Sequence, residues 1–354
     1  VKGKKLLFVV SSLLIVLAAG ALSLGNMPAI HPTEKIAFTI DHYAVSEREF
    51  QAFLQSSKAL TTSYFKRTYN AEYDKDFWTA SFNGENPLAY AKQKAMDELV
   101  KVKTEQIIMK ENGIVSDISY EAFLKSYDRE NKDRARKVAN HEPIYGPKQY
   151  GKAEYYSYYQ SMNVQKLIDK WTKEAQRTLT DEELKLYYDK VKQQYFHRGY
   201  TFDYEKISFN SQTDLKEELW SEMIQAASSG NITLVEAAAS LGVQASTEKL
   251  TLNLAETSKE DTLSQNLYTE FLASSEGDYS DIYQSGEGMY RFRLLVKRDK
   301  GLEKYEDVKN AVIQLYVQER LQDDVSRRLK QAQVETNKEV FPKITFMSQA
   351  YQKQ

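Results

Sequence analysis

The chain has 354 residues, 42% of them hydrophobic, with 48 basic and 50 acidic side chains and no cysteine. That length is worth about two domains at roughly 150 residues each, and that apolar content excludes wholesale disorder. The net charge of −2 excludes a nucleic-acid binder built on one broad basic surface. Absent cysteine excludes disulfides, thiolate metal sites, a Cys nucleophile and a lipoprotein anchor.

Lys2, Lys4 and Lys5 precede an uncharged run from Leu6 to Gly25. A basic patch followed by an apolar stretch is the pattern of a secretion signal, and this stretch is also long enough to span a bilayer uncut. Residues 1–25 are therefore expected to be a signal peptide or an N-terminal membrane anchor, with Ala19-Gly20-Ala21 as a cleavage candidate. Either choice leaves the lysines inside and exports the rest. Residues 26–35, with Pro28 and Pro32, are expected to form a linker.

Ile36 to Ile40 is β-prone, and Asp41-His42 suits a turn. Ser46-Glu47-Arg48-Glu49 matches a capping box, and Phe50, Phe53 and Leu54 supply a helical apolar stripe, predicting a helix to about Tyr64. An aromatic loop with Phe77, Trp78 and Phe82 ends at Asn86-Pro87. Further helices are predicted over Leu88–Asn112, stopped by Gly113, over Ser119–Val138, and over Lys152–Arg177 after a Pro/Gly loop. Thr180-Asp181-Glu182-Glu183 is a second capping box; its acids complement a helix dipole rather than forming a catalytic pair.

The pattern changes near residue 200. Phe202, Tyr204, Ile207 and Phe209 read as a strand with a break, followed by helices over Leu215–Ser228 and from Thr233 to near Gly242. The Asn231-Ile232-Thr233 sequon reads as a helix start. Lys249–Leu254 alternates like a strand, and Thr257 is expected to cap a helix running through Leu272. Tyr279–Tyr283 and Tyr290–Val296 flank a Ser285–Gly288 turn as a hairpin, with Tyr290, Phe292, Leu294 and Val296 on one face. Tyr305–Gln333 is a long helix whose Asp323-Asp324 and Arg327-Arg328 form i, i+4 pairs. Val334–Asn337 is extended and is predicted to pair with Ile36–Ile40. The fold class is thus α+β and mostly helical. Helical sequence over 36–199 and a return segment over 301–337 form one domain from both chain ends, an α+β insert occupies 200–300, and 338–354 is a tail.

The run Ile40-Asp41-His42-Tyr43-Ala44-Val45-Ser46-Glu47-Arg48-Glu49-Phe50 resembles the opening strand, turn and capped helix of extracytoplasmic foldases of the SurA and PrsA type, with Asp41-His42 in place of the usual Asn-Gly. Ala95–Ile114 is similar to that domain's second long helix. Thr180–Leu184 with Tyr187-Tyr188 is similar to the helix leading into the isomerase domain. Gly277–Lys297 followed by Glu306-Asp307-Val308-Lys309 resembles the end of a parvulin domain and its return helix. The resemblance spans most of 36–337 and implies a SurA-like helical chaperone domain carrying a parvulin-like peptidyl-prolyl isomerase domain.

The family's catalytic histidines have no counterpart. The first-strand position falls near Lys206, and the last-strand position falls at Tyr290 or Arg291. The central Cys or Asp and the Gly-Gly-Asp-Leu-Gly loop are missing. Phe271 fits the aromatic lining the proline pocket, although a lone Phe is more commonly core. The resemblance therefore implies a pocket of Tyr204, Lys206, Phe271 and Tyr290, with Tyr204, Tyr283 and Tyr290 as substitute donors, and weak or absent isomerase activity. Such catalysis favours the twisted amide and needs no metal or cofactor. Histidines are four and scattered (His31, His42, His141, His197), without metal-ligand spacing. Tyr155, Tyr156, Tyr158, Tyr159 and Trp171 are candidate peptide-binding side chains, because an aromatic face with a polar tip suits loose binding of clients; the plainer reading is that the helix buries half of them. The expected partners are unfolded or newly exported polypeptides and, through an uncleaved N-terminal segment, the membrane, but no nucleic acid. The expected location is extracytoplasmic and bacterial. An active isomerase and a non-catalytic cell-surface scaffold are the alternatives.

Overall fold

The computed structural model describes residues 34–209, 216–258, 261–285 and 288–346. The segment expected to be a signal or anchor lies outside them, as does most of the linker and the middle of the predicted hairpin turn. No helix among the described residues is long and apolar enough to cross a membrane. The chain divides into two compact units: residues up to Leu179 with those from Ile313 onward, and Thr180–Val312.

In the first unit, β1 (Ile36–Ile40) is the centre of a three-stranded antiparallel sheet between β2 (Tyr43–Ser46) and β7 (Val334–Thr336). Thr39 lies opposite Glu335, so the predicted pairing of the two chain ends is present. α1 (Glu47–Tyr69) starts at Ser46, whose hydroxyl accepts from Glu49 N. The return half of the expected capping box is absent: the Glu49 carboxylate turns inward instead. α1 also runs a turn beyond its expected end, because Phe65 is buried against Phe77 and Phe82 and keeps the aromatic loop on the helix. α2 (Pro87–Glu111) has Asn86 as its cap and Pro87 where a missing N–H costs nothing. Gly113 follows at φ +69°, a left-handed position that favours glycine. α3 (Tyr120–Ala139) and α4 (Lys152–Thr178) complete the helical layer ahead of the second unit. The core gathers Phe38, Ile40, Val45, Phe50, Leu54 and Leu99, closed by Ile344 from the far end of the chain.

In the second unit, Thr180 and Glu183 form a full capping box on α5 (Asp181–Tyr195). A four-stranded antiparallel sheet follows in the order β4-β3-β6-β5: β3 is Tyr200–Phe209, β4 Ala245–Leu252, β5 Tyr283–Ser285 and β6 Gly288–Asp299. α6 (Glu217–Gly230) and α7 (Leu234–Ser240) cover one face through Ile207, Phe209, Trp220, Met223 and Ala238. α8 (Thr262–Ala273) covers the other through Phe202, Leu267, Phe271, Phe292 and Leu294. The break expected in β3 is not there. β3 is continuous and buries its opposite faces at its two ends, which is what the shift from Phe202 and Tyr204 to Ile207 and Phe209 records.

Three expectations shift here. The register steps by one between Asp203 and Tyr204, passing over Leu295 of β6, so Val296 leaves the face it was expected to share with Leu294. α8 is capped by Asp261, which accepts from Ser264 N; Thr257 instead donates its hydroxyl to Asn253 O in the preceding turn. Tyr279 makes a single bridge to Arg293, and the hairpin's first strand begins only at Tyr283. α9 (Tyr305–Gln331) then leads back to β7.

Candidate functional site

β3 and β6 are neighbours, and their alternation sorts the side chains. Lys206 lies opposite Phe292, and Ser208 opposite Tyr290. Tyr204, Lys206, Tyr290 and Phe292 therefore share the face that α8 partly covers. Phe271, on α8, is 1% exposed and packs on Phe202 and Tyr204 with ring centroids at 5.5 and 5.6 Å. Tyr204 also meets Phe292 edge-on at 5.7 Å. The Lys206 ammonium stands 4.1 Å from the Tyr290 ring centroid, a cation–π contact. Three of the four residues expected to form a pocket, Tyr204, Lys206 and Tyr290, thus lie on one strip of this face, and Phe271 packs against it from α8 as a buried core side chain. Of the two possible last-strand positions, Tyr290 lies beside Lys206. Arg291 turns to the other face, where it stands over Trp220 at 4.5 Å and donates to Ser280 O.

The strip is aromatic and phenolic. Burial pushes the Tyr204 phenol above its ordinary value. Tyr283 is pushed up by burial and then by its bond to the Glu270 carboxylate at 2.7 Å. Glu270 also accepts from Asp281 N, so it is the polar post that fixes the start of β5; no pattern in the sequence marked it. These phenols are donors held in protonated form at neutral pH. The imidazole of this unit lies elsewhere: His197 accepts from Gly199 N through Nδ1 and meets Asp299 through Nε2 at 3.0 Å, where the chain enters and leaves the sheet. The face can pack apolar side chains and donate hydrogen bonds to a peptide. Among the described residues no three His, Cys, Asp or Glu side chains are grouped to hold a metal ion.

The second group of candidates is in the helical unit, and most of it serves the fold. Tyr155 is 3% exposed among Tyr120, Phe123 and Tyr150. Trp171 is equally buried; its indole donates to Asn112 Oδ1 at 2.9 Å and lies under Arg320. Tyr156 donates to Glu49 Oε1 at 2.9 Å. Tyr155 and Trp171 are buried and Tyr156 is half-buried, so all three contribute to internal packing. Tyr158 is 43% exposed and stacks on Tyr150, and Tyr159 is half-buried beside it. Tyr145, 90% exposed in the loop before α4, lies near in sequence.

Tyr156 belongs to a buried polar centre that sequence reading missed. Lys103 and Glu49 form an ion pair at 2.8 Å with both side chains 2% exposed, and Lys103 also donates to Ile118 O. Gln106 donates to the Tyr156 hydroxyl. Burial, and then the adjacent Glu49 charge, push the Tyr156 phenol well above its ordinary value. The only trace in the sequence was a glutamate three residues after a serine, which capping explained equally well.

No family model matches the chain. It is 25% identical over 148 residues to the chaperone for lacto-N-biosidase of Bifidobacterium longum subsp. longum, a stretch covering 41% of this chain and 51% of that protein. The chain thus spans about half the length of the curated relative it matches. Similar solved structures include SurA-like chaperones and PrsA foldases. One is a SurA-like chaperone of Campylobacter jejuni, at 15% identity over 86% of this chain and 99% of that one, with a TM-score of 0.29. Another is the foldase protein PrsA from Lactococcus lactis, at 14% identity over 87% and 96%, with a TM-score of 0.24.

Proposed function

We propose that this chain is an extracytoplasmic folding factor that binds non-native polypeptide. In this reading the unit built from both chain ends is the chaperone domain, and Thr180–Val312 is a parvulin-like module whose isomerase chemistry is weak or lost. The observation that carries the proposal is the β3–β6 face: it presents the half-buried rings of Tyr204 and Tyr290 beside the core rings of Phe271 and Phe292, but has Lys206 and Tyr290 where histidines would stand. The half-exposed tyrosines of α4 and the partial similarity to a bifidobacterial chaperone support client binding.

Such a face offers packing and phenol donors, which suffice to hold a peptide. Lowering an amide rotation barrier of about 18–20 kcal/mol further requires groups that favour the twisted form over both planar ones. The test is proline-limited refolding of a client with the full chain, run beside aggregation suppression on the same client. Suppression at stoichiometric amounts with an unchanged slow phase is expected. Acceleration at catalytic amounts would show instead an active isomerase using phenol donors, and absence of both effects would leave a scaffold role.

A further inference from the structure

The sheet of the α+β unit has two unequal edges. β5 is three residues long, whereas β4 is eight and, among the described residues, has β3 as its one strand neighbour. Of β4 only Leu252 is buried. A long open edge presents a row of backbone donors and acceptors, which proteins normally shorten, cover or use.

The two faces beside this edge differ. On the α7 side, at the start of β4, a groove of about 770 Å³ is lined mainly by apolar atoms of Phe209, Val235, Ala239, Val243 and Ala245. On the α8 side, which Leu252 shares, the exposed residue at mid-strand is Glu248. Lys249, the strand's one cation, lies on the groove side past Thr247. The unit as a whole is acidic: residues 180–312 hold 24 of the chain's 50 acids but 15 of its 48 bases, a net charge of −9. This field attracts cationic segments and repels anionic ones.

We propose that the β4 edge takes up an extended segment of client polypeptide as an added strand, selecting segments in which apolar side chains alternate with lysine or arginine. The apolar set enters the groove between β4 and α7; the basic set lies beside Glu248 on the other face. Backbone pairing supplies affinity, and the alternating faces supply the preference. This deepens the reading of the chain as a binder of non-native polypeptide and rests on it.

The test uses the full chain and three labelled short peptides read by fluorescence anisotropy: alternating valine and lysine, alternating valine and glutamate, and the first with alternate backbone amides N-methylated. The lysine peptide is expected to bind at least about tenfold more tightly than the glutamate peptide, and methylation on the pairing edge is expected to abolish binding. Ala239→Trp, at an exposed helix position, fills the groove and is expected to weaken binding by about tenfold or more. Glu248→Lys, at an exposed strand position, is expected to shrink the lysine preference. Equal binding of all three peptides, or indifference to both substitutions, overturns the proposal. Aggregation suppression measured on the same samples separates the two levels. If suppression persists without edge binding, the edge proposal fails and the folding-factor reading stands; loss of both removes both.

Discussion

Lys103→Met keeps most of the side chain's length and its apolar stem, and removes one ammonium. In the wild type that ammonium sits between Glu49 Oε1 and Ile118 O, at 2.8 and 2.6 Å. After the change, Glu49 stays buried with Tyr156 as the remaining donor to Oε1, and Oε2 has no partner even in the wild type. Removing one member of a buried ion pair costs about 3–5 kcal/mol, because the surviving charge remains out of water. The stranded Ile118 carbonyl adds about 1 kcal/mol or more. A domain's whole stability is about 5–15 kcal/mol, so this one substitution is expected to bring the helical unit close to unfolding. Glu49→Gln in the same chain removes the stranded charge and is expected to recover at least about 1–2 kcal/mol; Tyr156→Phe alone is expected to cost about 1–3 kcal/mol. The assay is urea unfolding of the full chain in a Trp220→Phe background, where Trp78 and Trp171 report the helical unit. A loss below about 1 kcal/mol for Lys103→Met, or a double variant less stable than the single one, would refute the reasoning that Glu49 is held as a buried charge.

Phe271→Ala is expected to destabilise the α+β unit by about 3–5 kcal/mol through the cavity left among Phe202, Tyr204 and Leu267; Trp220 fluorescence reads it, and an unshifted midpoint would show that Phe271 is not core. Asp181 is held well below the usual carboxylate range first by Lys309, then by Tyr305 and Lys185. Its contribution is therefore present above about pH 4, the ordinary carboxylate value, and is lost as pH falls further. Asp181→Asn is expected to flatten the acid side of the unit's stability profile, as acid titration followed by circular dichroism will show. Tyr158→Ser is expected to change the melting temperature little and to weaken client binding, whereas Tyr155→Ser, at a buried ring, lowers the melting temperature first; the reverse order would place the client-facing side on the other edge of α4.

The sequence was legible wherever a local rule and the tertiary structure asked for the same thing. Thr180 and Glu183 cap α5 because nothing else competes for the glutamate. Asn86-Pro87 starts α2, and β7 reaches β1 as its β-prone residues suggested. Legibility failed where a residue had two physically adequate uses. Glu49 satisfies a capping pattern, yet its carboxylate is worth more paired with Lys103 in the core, and a single sequence does not show that Lys103 lies across from it. Thr257 and Asp261 were both able to cap α8; the difference lies in a turn that Thr257 closes onto Asn253. The candidate strip was found through the family resemblance, and strand alternation, a rigid rule, is what brings Tyr204, Lys206 and Tyr290 to one face. Val296 was misplaced because that rule breaks at a bulge that no single residue announces.

The α+β unit carries its own closure, made within Thr180–Val312. Where β3 begins and β6 ends, Arg198 N donates to Gly301 O, Lys300 N to Gly199 O, and Glu303 N to Phe196 O. His197 and Asp299 meet across the same gap, and Tyr188 donates its hydroxyl to Glu303 O. The segments that lead into β3 and out of β6 are thus hydrogen-bonded to each other, so the entropy of closing the loop between them is met by local contacts. The central strands β3 and β6 continue directly from this clasp, and the unit's own helices cover part of both sheet faces. The unit thus has its own closure and its own two apolar cores, and imidazole on the α8 face is part of neither.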